Sequence, residues 1–159
     1  MLKIDKVEVN NTTKEVVDVK LVKLVAEKFL KHYKKNKFEV SIAFVSDKEI
    51  QKLNKIYRGI NKPTDVLSFE GDASAGSPQY RSGQAAQVFL GEIIISYSQI
   101  KKQAKEFGKT AKQELVFILV HGLLHLLGHT DETEKGRLGM IEEGERFIEN
   151  YKLQITNVK

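Results

Sequence analysis

Cysteine is absent from the 159 residues. That absence removes disulfides, thiolate zinc sites, iron-sulfur clusters and a cysteine nucleophile, so any metal must be held by histidine and carboxylate. A reducing compartment is compatible with this. Long apolar runs are missing too. The longest, Leu115 to Val120, is far short of the roughly 20 residues that a membrane helix needs. The amino terminus, Met1 to Glu8, alternates apolar and charged residues and lacks the continuous apolar stretch of a secretory signal. A soluble, cytoplasmic protein with no membrane association is expected. Charge of one sign is only slightly in excess, since 26 Lys and Arg against 21 Asp and Glu leave +5. Such a balance permits a polyanionic partner without requiring one. With 41% hydrophobic and 30% charged residues, the composition excludes disordered, collagenous and fibrous chains. The length predicts one domain over residues 1–159, able to hide about 70% of its unfolded surface.

What is present is an alternation of strand and helix patterns. Leu2, Ile4, Val7 and Val9 suggest an opening strand. Thr12 to about Tyr33 repeats apolar residues at helical spacing and ends in a lysine-rich run, where His32 reads as a surface residue. Phe38, Val40, Ile42 and Phe44 alternate as a half-buried strand. Ser46-Asp47-Lys48-Glu49 has the form of a capping box and opens a helix whose apolar face is Ile50, Leu53, Ile56 and Tyr57. A third strand is expected over Asp65 to Glu70, a long loop over Gly71 to Gln87, and a central strand over Val88 to Ser96. Helices then follow over Ser98 to Phe107, Thr110 to about Gly128 and Glu132 to about Tyr151. The order predicts an α/β (α+β) fold: a single mixed sheet of about four strands with helices packed on it.

The chemistry concentrates in His121-Gly122-Leu123-Leu124-His125-Leu126-Leu127-Gly128-His129-Thr130-Asp131, which holds three of the four histidines. On a helix, His121 and His125 stand about 40° apart around the axis, one turn along. The helix is apolar almost all round, so both imidazoles are expected to be buried, and a metal would satisfy them. Two core histidines bonded to backbone or carboxylate are the plainer reading. Gly128 stands where a left-handed turn ends the helix and brings the following residues back toward the pair. The spacing His-x3-His-x2-Gly-x2-ligand matches the extended zinc motif of metzincin metalloproteases and points to Asp131 as third ligand, with His129 as the alternative. Two histidines and a carboxylate leave one position open, as a catalytic zinc site requires; if His129 and Asp131 both bind, the site is closed and structural. A His-Glu-x-x-His protease carries its general base directly after the first histidine, but here that residue is Gly122. RNA needs less from the protein, because it brings a 2′-hydroxyl and an anionic centre that a cation and an arginine can stabilise.

Together with Tyr57-Arg58, Lys62-Pro63-Thr64-Asp65-Val66-Leu67-Ser68-Phe69 and Leu90-Gly91-Glu92-Ile93-Ile94-Ile95-Ser96, the segment His121 to Gly128 resembles the YbeY family of bacterial endoribonucleases. The resemblance runs over almost the whole chain in the same order. It implies a zinc-dependent, single-strand-specific endoribonuclease of the cytoplasm, acting near the small ribosomal subunit. Its expected work is ribosomal RNA maturation, particularly at the 3′ end of the small-subunit RNA, and ribosome quality control. The family's first two metal histidines fall on His121 and His125. Its third falls on Asp131, because the family usually reads Gly-Tyr-Asp-His where this chain has Gly128-His129-Thr130-Asp131. The family's groove arginine corresponds to Arg58, and Glu92 stands where many members have Asp.

The chemistry of the residues agrees with these roles. Arg58 offers a planar, permanently charged fork for phosphate, although a surface arginine at a helix end is the plainer reading. Lys62 is a further candidate for phosphate contact. Glu114, two turns before His121, suits an outer-shell or structural role, and Met140 suits core filling or the floor of a metal pocket. The last helix, with Glu142, Glu143, Glu145 and Glu149, reads as a solvated face. The expectation is therefore a hydrolase with Zn2+ on His121, His125 and Asp131, and with Arg58 countering developing charge. Zinc-bound water and the RNA 2′-hydroxyl both stand as nucleophile. The alternatives are a metallopeptidase and a non-catalytic ribosome-associated protein with a structural metal.

Overall fold

The computed structural model describes residues 6–35, 37–71 and 88–157. Its four strands, β1 (Val7–Asn11), β2 (Phe38–Phe44), β3 (Val66–Glu70) and β4 (Val88–Ile95), form one sheet in the order β1-β2-β4-β3. The β1-β2 and β2-β4 pairs are parallel, and β3 runs antiparallel to β4 along an edge. This is the mixed sheet that the alternation of patterns predicts. Strand residues alternate between faces, which divides the interior in two. Val40, Ile42, Phe44, Ile93 and Ile95 point into the larger core, whereas Leu67 and Ile94 point into a smaller one with Val45 and Ile50.

Six helices cover the sheet: α1 (Val19–His32), α2 (Asp47–Arg58), α3 (Tyr97–Glu106), α4 (Ala111–Leu126), α5 (Glu134–Asn150) and α6 (Lys152–Thr156). The larger core takes side chains from α1, α4 and α5, among them the fully buried Phe29 and Phe147. Each such ring brings about 2–3 kcal/mol of transfer free energy. α4 is closed at its start by a reciprocal capping box, in which the Gln113 amide donates to the Thr110 hydroxyl and the Thr110 amide donates to the Gln113 side chain. Its residues are apolar around the whole circumference because it packs against the sheet, α3, α1 and α5.

Several expectations are corrected. α1 begins at Val19, not Thr12, and Val16 is exposed. Asn11 accepts from the amide and hydroxyl of Thr13, Thr13 accepts from the Glu15 amide, and Asp18 accepts from the Leu21 amide. These short polar side chains occupy backbone groups locally and delay the helix until Asp18 caps it. α2 buries Ile50 and leaves Ile56 and Tyr57 exposed, since the smaller core beneath it is too narrow to cover its last turn. Glu143 is not simply solvated, because its carboxylate accepts the Tyr33 hydroxyl at 2.6 Å. The short α6 was not anticipated; its Ile155 closes the larger core. Met140 is buried in that core. Leu2 and Ile4 of the expected opening strand, and the expected loop beyond Gly71, lie outside the described residues.

Glu114, on the first turn of α4, is 2% exposed. Its Oε2 makes no hydrogen bond among the described residues, and Lys109 Nζ stands 3.8 Å away. Burial pushes its carboxyl up from the usual value, and the Lys109 charge only partly opposes this. A carboxylate with a raised folded-state pKa stabilises the fold below its unfolded pKa, and that stability is lost as pH rises through the folded value. Glu114→Gln is therefore expected to raise the melting temperature at pH 7.5 by a few degrees, at about 2–4 °C per kcal/mol. It should also flatten the decline in stability from pH 5 to pH 7.5. A calorimetric scan at both pH values checks this, and a lower melting temperature for the variant at pH 7.5 would refute it.

Candidate metal centre and cleft

α4 sets the first two candidate ligands. His121 and His125 are one turn apart, with ring centroids 4.8 Å from each other. Their side chains are 18% and 24% exposed, so they are half-buried and not enclosed as an all-apolar helix suggests. Both line an open cleft of about 360 Å³, which also includes Arg58, Asp65, Asp131 and Arg137.

The turn after α4 sets the third. Gly128 adopts a φ of +96°, its amide donates to the His125 carbonyl and the His129 amide donates to the Leu124 carbonyl. This pair of bonds is the Schellman arrangement, and the positive φ favours a residue without a Cβ. The reversal carries Asp131 back over the helix face. Its Oδ2 lies 3.4 Å from Nε2 of His121 and 3.4 Å from Nε2 of His125. Ligand atoms of these three residues all lie within 4.8 Å of one another. Ligands about 2.1 Å from a tetrahedral ion stand about 3.4 Å apart, which is the separation of the Asp131 oxygen from each imidazole, so the group could hold a metal ion.

Protonation also suits a cation. The His129 carbonyl oxygen lies 3.1 Å from Nδ1 of His125 and can only accept, so Nδ1 carries the proton and Nε2 presents its lone pair. Burial holds the His121 imidazole below its usual pKa and His125 adds to this, while Asp131 pulls the other way. For Asp131, burial alone raises the carboxyl, but the two facing imidazoles, His125 first and His121 next, outweigh it and hold it below the usual range. The centre therefore favours a neutral His121 imidazole beside an ionised Asp131 carboxylate. His129 contributes its backbone and is outside the convergent group.

The other candidates are placed by the α2–β3 connection. The Gly59 amide donates to the Lys55 carbonyl, Gly59 is left-handed at φ +72°, and the buried Asn54 amide donates to the Lys62 carbonyl at 2.8 Å. This turn sets Arg58 on the cleft. Lys62 is exposed and does not line it, and Glu114 and Met140 do not line it either.

Two cleft residues escaped the sequence reading as site residues. Asp65 stands in the sequence as the first residue of an expected strand; its Oδ1 accepts from the Val66 amide and its carbonyl accepts from the Ser96 amide. Arg137 comes from the first turn of α5, paired among the described residues with the exposed Glu134 alone, at 3.8 Å. Nothing in its helical spacing distinguishes it from other surface arginines.

Gly122 is buried against the sheet. A Cβ there would stand 3.2 Å from Ser68 Oγ and 3.3 Å from Ile93 Cγ2, and the Ser68 hydroxyl donates to the Gly122 carbonyl. The position that bears the base in a His-Glu-x-x-His protease is thus occupied by backbone packing on β3 and β4.

A family model described as Endoribonuclease YbeY matches residues 4–152. Among curated proteins, Endoribonuclease YbeY of Persephonella marina is 39% identical over 132 residues, covering 82% of this chain and 82% of that protein. Endoribonuclease YbeY of a Sulfurihydrogenibium species is 42% identical over 116 residues, covering 73% of this chain and 71% of that protein. The solution structure of TM1509 from Thermotoga maritima superposes with a TM-score of 0.63 at 27% identity, over 95% of this chain and 93% of that one. Among the described residues no helix is long and apolar enough to cross a membrane.

Proposed function

The chain belongs to the endoribonuclease YbeY family, and we propose on that premise that it cuts single-stranded RNA with Zn2+ held by His121, His125 and Asp131. The observation that carries this reading is the meeting of two imidazole Nε2 atoms and one carboxylate oxygen in a cleft that also holds Arg58 and Arg137. A zinc ion in that position supplies Lewis-acid charge to a scissile phosphate. The chain's own residues do the rest. The His129 carbonyl fixes the His125 tautomer, Asp131 offsets part of the cationic charge, and the two guanidinium groups grip phosphate oxygens and counter the charge that develops on them. On the same reading the protein works as one catalytic unit in the cytoplasm, and its substrate is ribosomal RNA at the 3′ end of the small-subunit RNA. Quality control of ribosomes beside the small subunit belongs to this reading too. The residue after His121 is Gly122, crowded by Ser68 and Ile93, so no carboxylate stands where a His-Glu-x-x-His peptidase carries its base, which favours RNA over a peptide as substrate.

The test is cleavage of a labelled single strand and of casein, before and after chelation. RNA cleavage should stop with chelator and return with about one equivalent of Zn2+ per chain, with casein untouched. Arg58→Ala should lower kcat/KM for RNA by about 10- to 100-fold, as expected for one lost charge-stabilising donor. The ends of the products tell the nucleophile: a 2′,3′-cyclic phosphate marks attack by the 2′-hydroxyl. RNA cleavage that survives chelation and Asp131→Ala would overturn the proposal.

A further inference from the structure

The last turn of α2 carries an exposed aromatic ring that the cleft does not use. Tyr57 is 64% exposed, beside the exposed Ile56 and Ile60. An open tyrosine is commonly mobile, but this one is held: the Phe69 ring of β3 meets it at 5.0 Å between centroids and 66° between planes. Phe69 is in turn packed against the smaller core. The ring is thus fixed in orientation and left open to solvent.

The same segment is cationic. Lys52, Lys55, Arg58 and Lys62 are exposed on α2 and the turn after it, and none makes an ion pair among the described residues. Arg58, the next residue in the chain, lines the metal cleft. Successive residues on a helix point about 100° apart, so ring and guanidinium serve adjoining sectors of one surface. An exposed aromatic face next to an arginine that lines the cleft is complementary to a nucleic-acid strand: the guanidinium meets the backbone and the ring takes a base.

We propose that Tyr57 is a stacking platform for an unpaired base of the RNA, next to the phosphate that Arg58 contacts. This rests on the endoribonuclease reading and adds to it a physical origin for single-strand preference. Bases inside a duplex are stacked on their neighbours and cannot lie on the ring, whereas a splayed base of any identity can.

The chain has no tryptophan, so Tyr57→Trp places a unique fluorophore on the platform. Its emission is to be followed during titration with single-stranded oligoadenylate, with an abasic strand of equal length and with a duplex. Quenching by oligoadenylate alone is the expected result. Tyr57→Ala should weaken binding of the single strand about tenfold, in the range for one stacked base. Tyr57→Phe should stay within about twofold, and abasic-strand and duplex affinities should not change. Equal quenching by the abasic strand overturns the platform. So does an unchanged affinity of Tyr57→Ala for oligoadenylate, or an equal loss for all three ligands. If the parent protein neither binds nor cleaves any RNA, the endoribonuclease reading fails first, and it is separately recognised by that outcome.

Discussion

His125→Ala is expected to abolish tight divalent-metal binding and to lower RNA cleavage by at least about a thousandfold, while the protein stays folded. The residue does two things at once. Its Nε2 stands 3.4 Å from Asp131 Oδ2, and its Nδ1 donates to the His129 carbonyl. Alanine leaves His121 and one partly exposed carboxylate, a pair too weak to retain an ion against chelator. The lost hydrogen bond costs about 1 kcal/mol, but the turn keeps the Gly128 and His129 amide bonds that close it. Calorimetric titration with Zn2+, a cleavage time course and a circular-dichroism melt check the three parts. Cleavage near the parent rate, with zinc binding gone, would mean that the chemistry lies elsewhere on the chain.

Gly122→Glu, which writes a complete His-Glu-x-x-His motif into the chain, is expected to damage the fold and not to create a peptidase. The new Cβ meets Ser68 Oγ at 3.2 Å and Ile93 Cγ2 at 3.3 Å, and a carboxylate beyond it has to enter the space between α4 and the sheet. Overpacking costs about 1–3 kcal/mol and an unpaired buried carboxylate several more. A fall in melting temperature of roughly 10 °C or more follows, at about 2–4 °C per kcal/mol. The variant should also show no casein hydrolysis with zinc. A soluble variant with an unchanged melting temperature would show that the helix can turn this position toward the cleft.

Much of this was legible in the residues because local physics decided it. The alternation of Phe38 to Phe44 and the apolar run of Val88 to Ile95 specify strands directly, and Thr110 marks the start of α4. The spacing of His121, His125 and Gly128 anticipates the convergence with Asp131, since helical pitch and a left-handed glycine leave few other places for that carboxylate. What was not legible depended on distant packing. Whether Ile56 and Tyr57 are covered depends on the size of the core beneath α2, which no spacing encodes. Arg137 reaches the cleft only because α5 docks on α4. Half-exposure of the two imidazoles arises where α4 meets the open cleft, a property of the assembled surface and not of a helix that is apolar all round.

The reversal at Gly128 divides the three donors by rigidity. The helix freezes His121 and His125 in register, whereas Asp131 rides on exposed chain between α4 and α5. If this centre takes up a metal as proposed, most of the ordering entropy falls on the short segment from His129 to Thr133. Affinity at this centre can be tuned by the stiffness of that segment, with every ligand left in place.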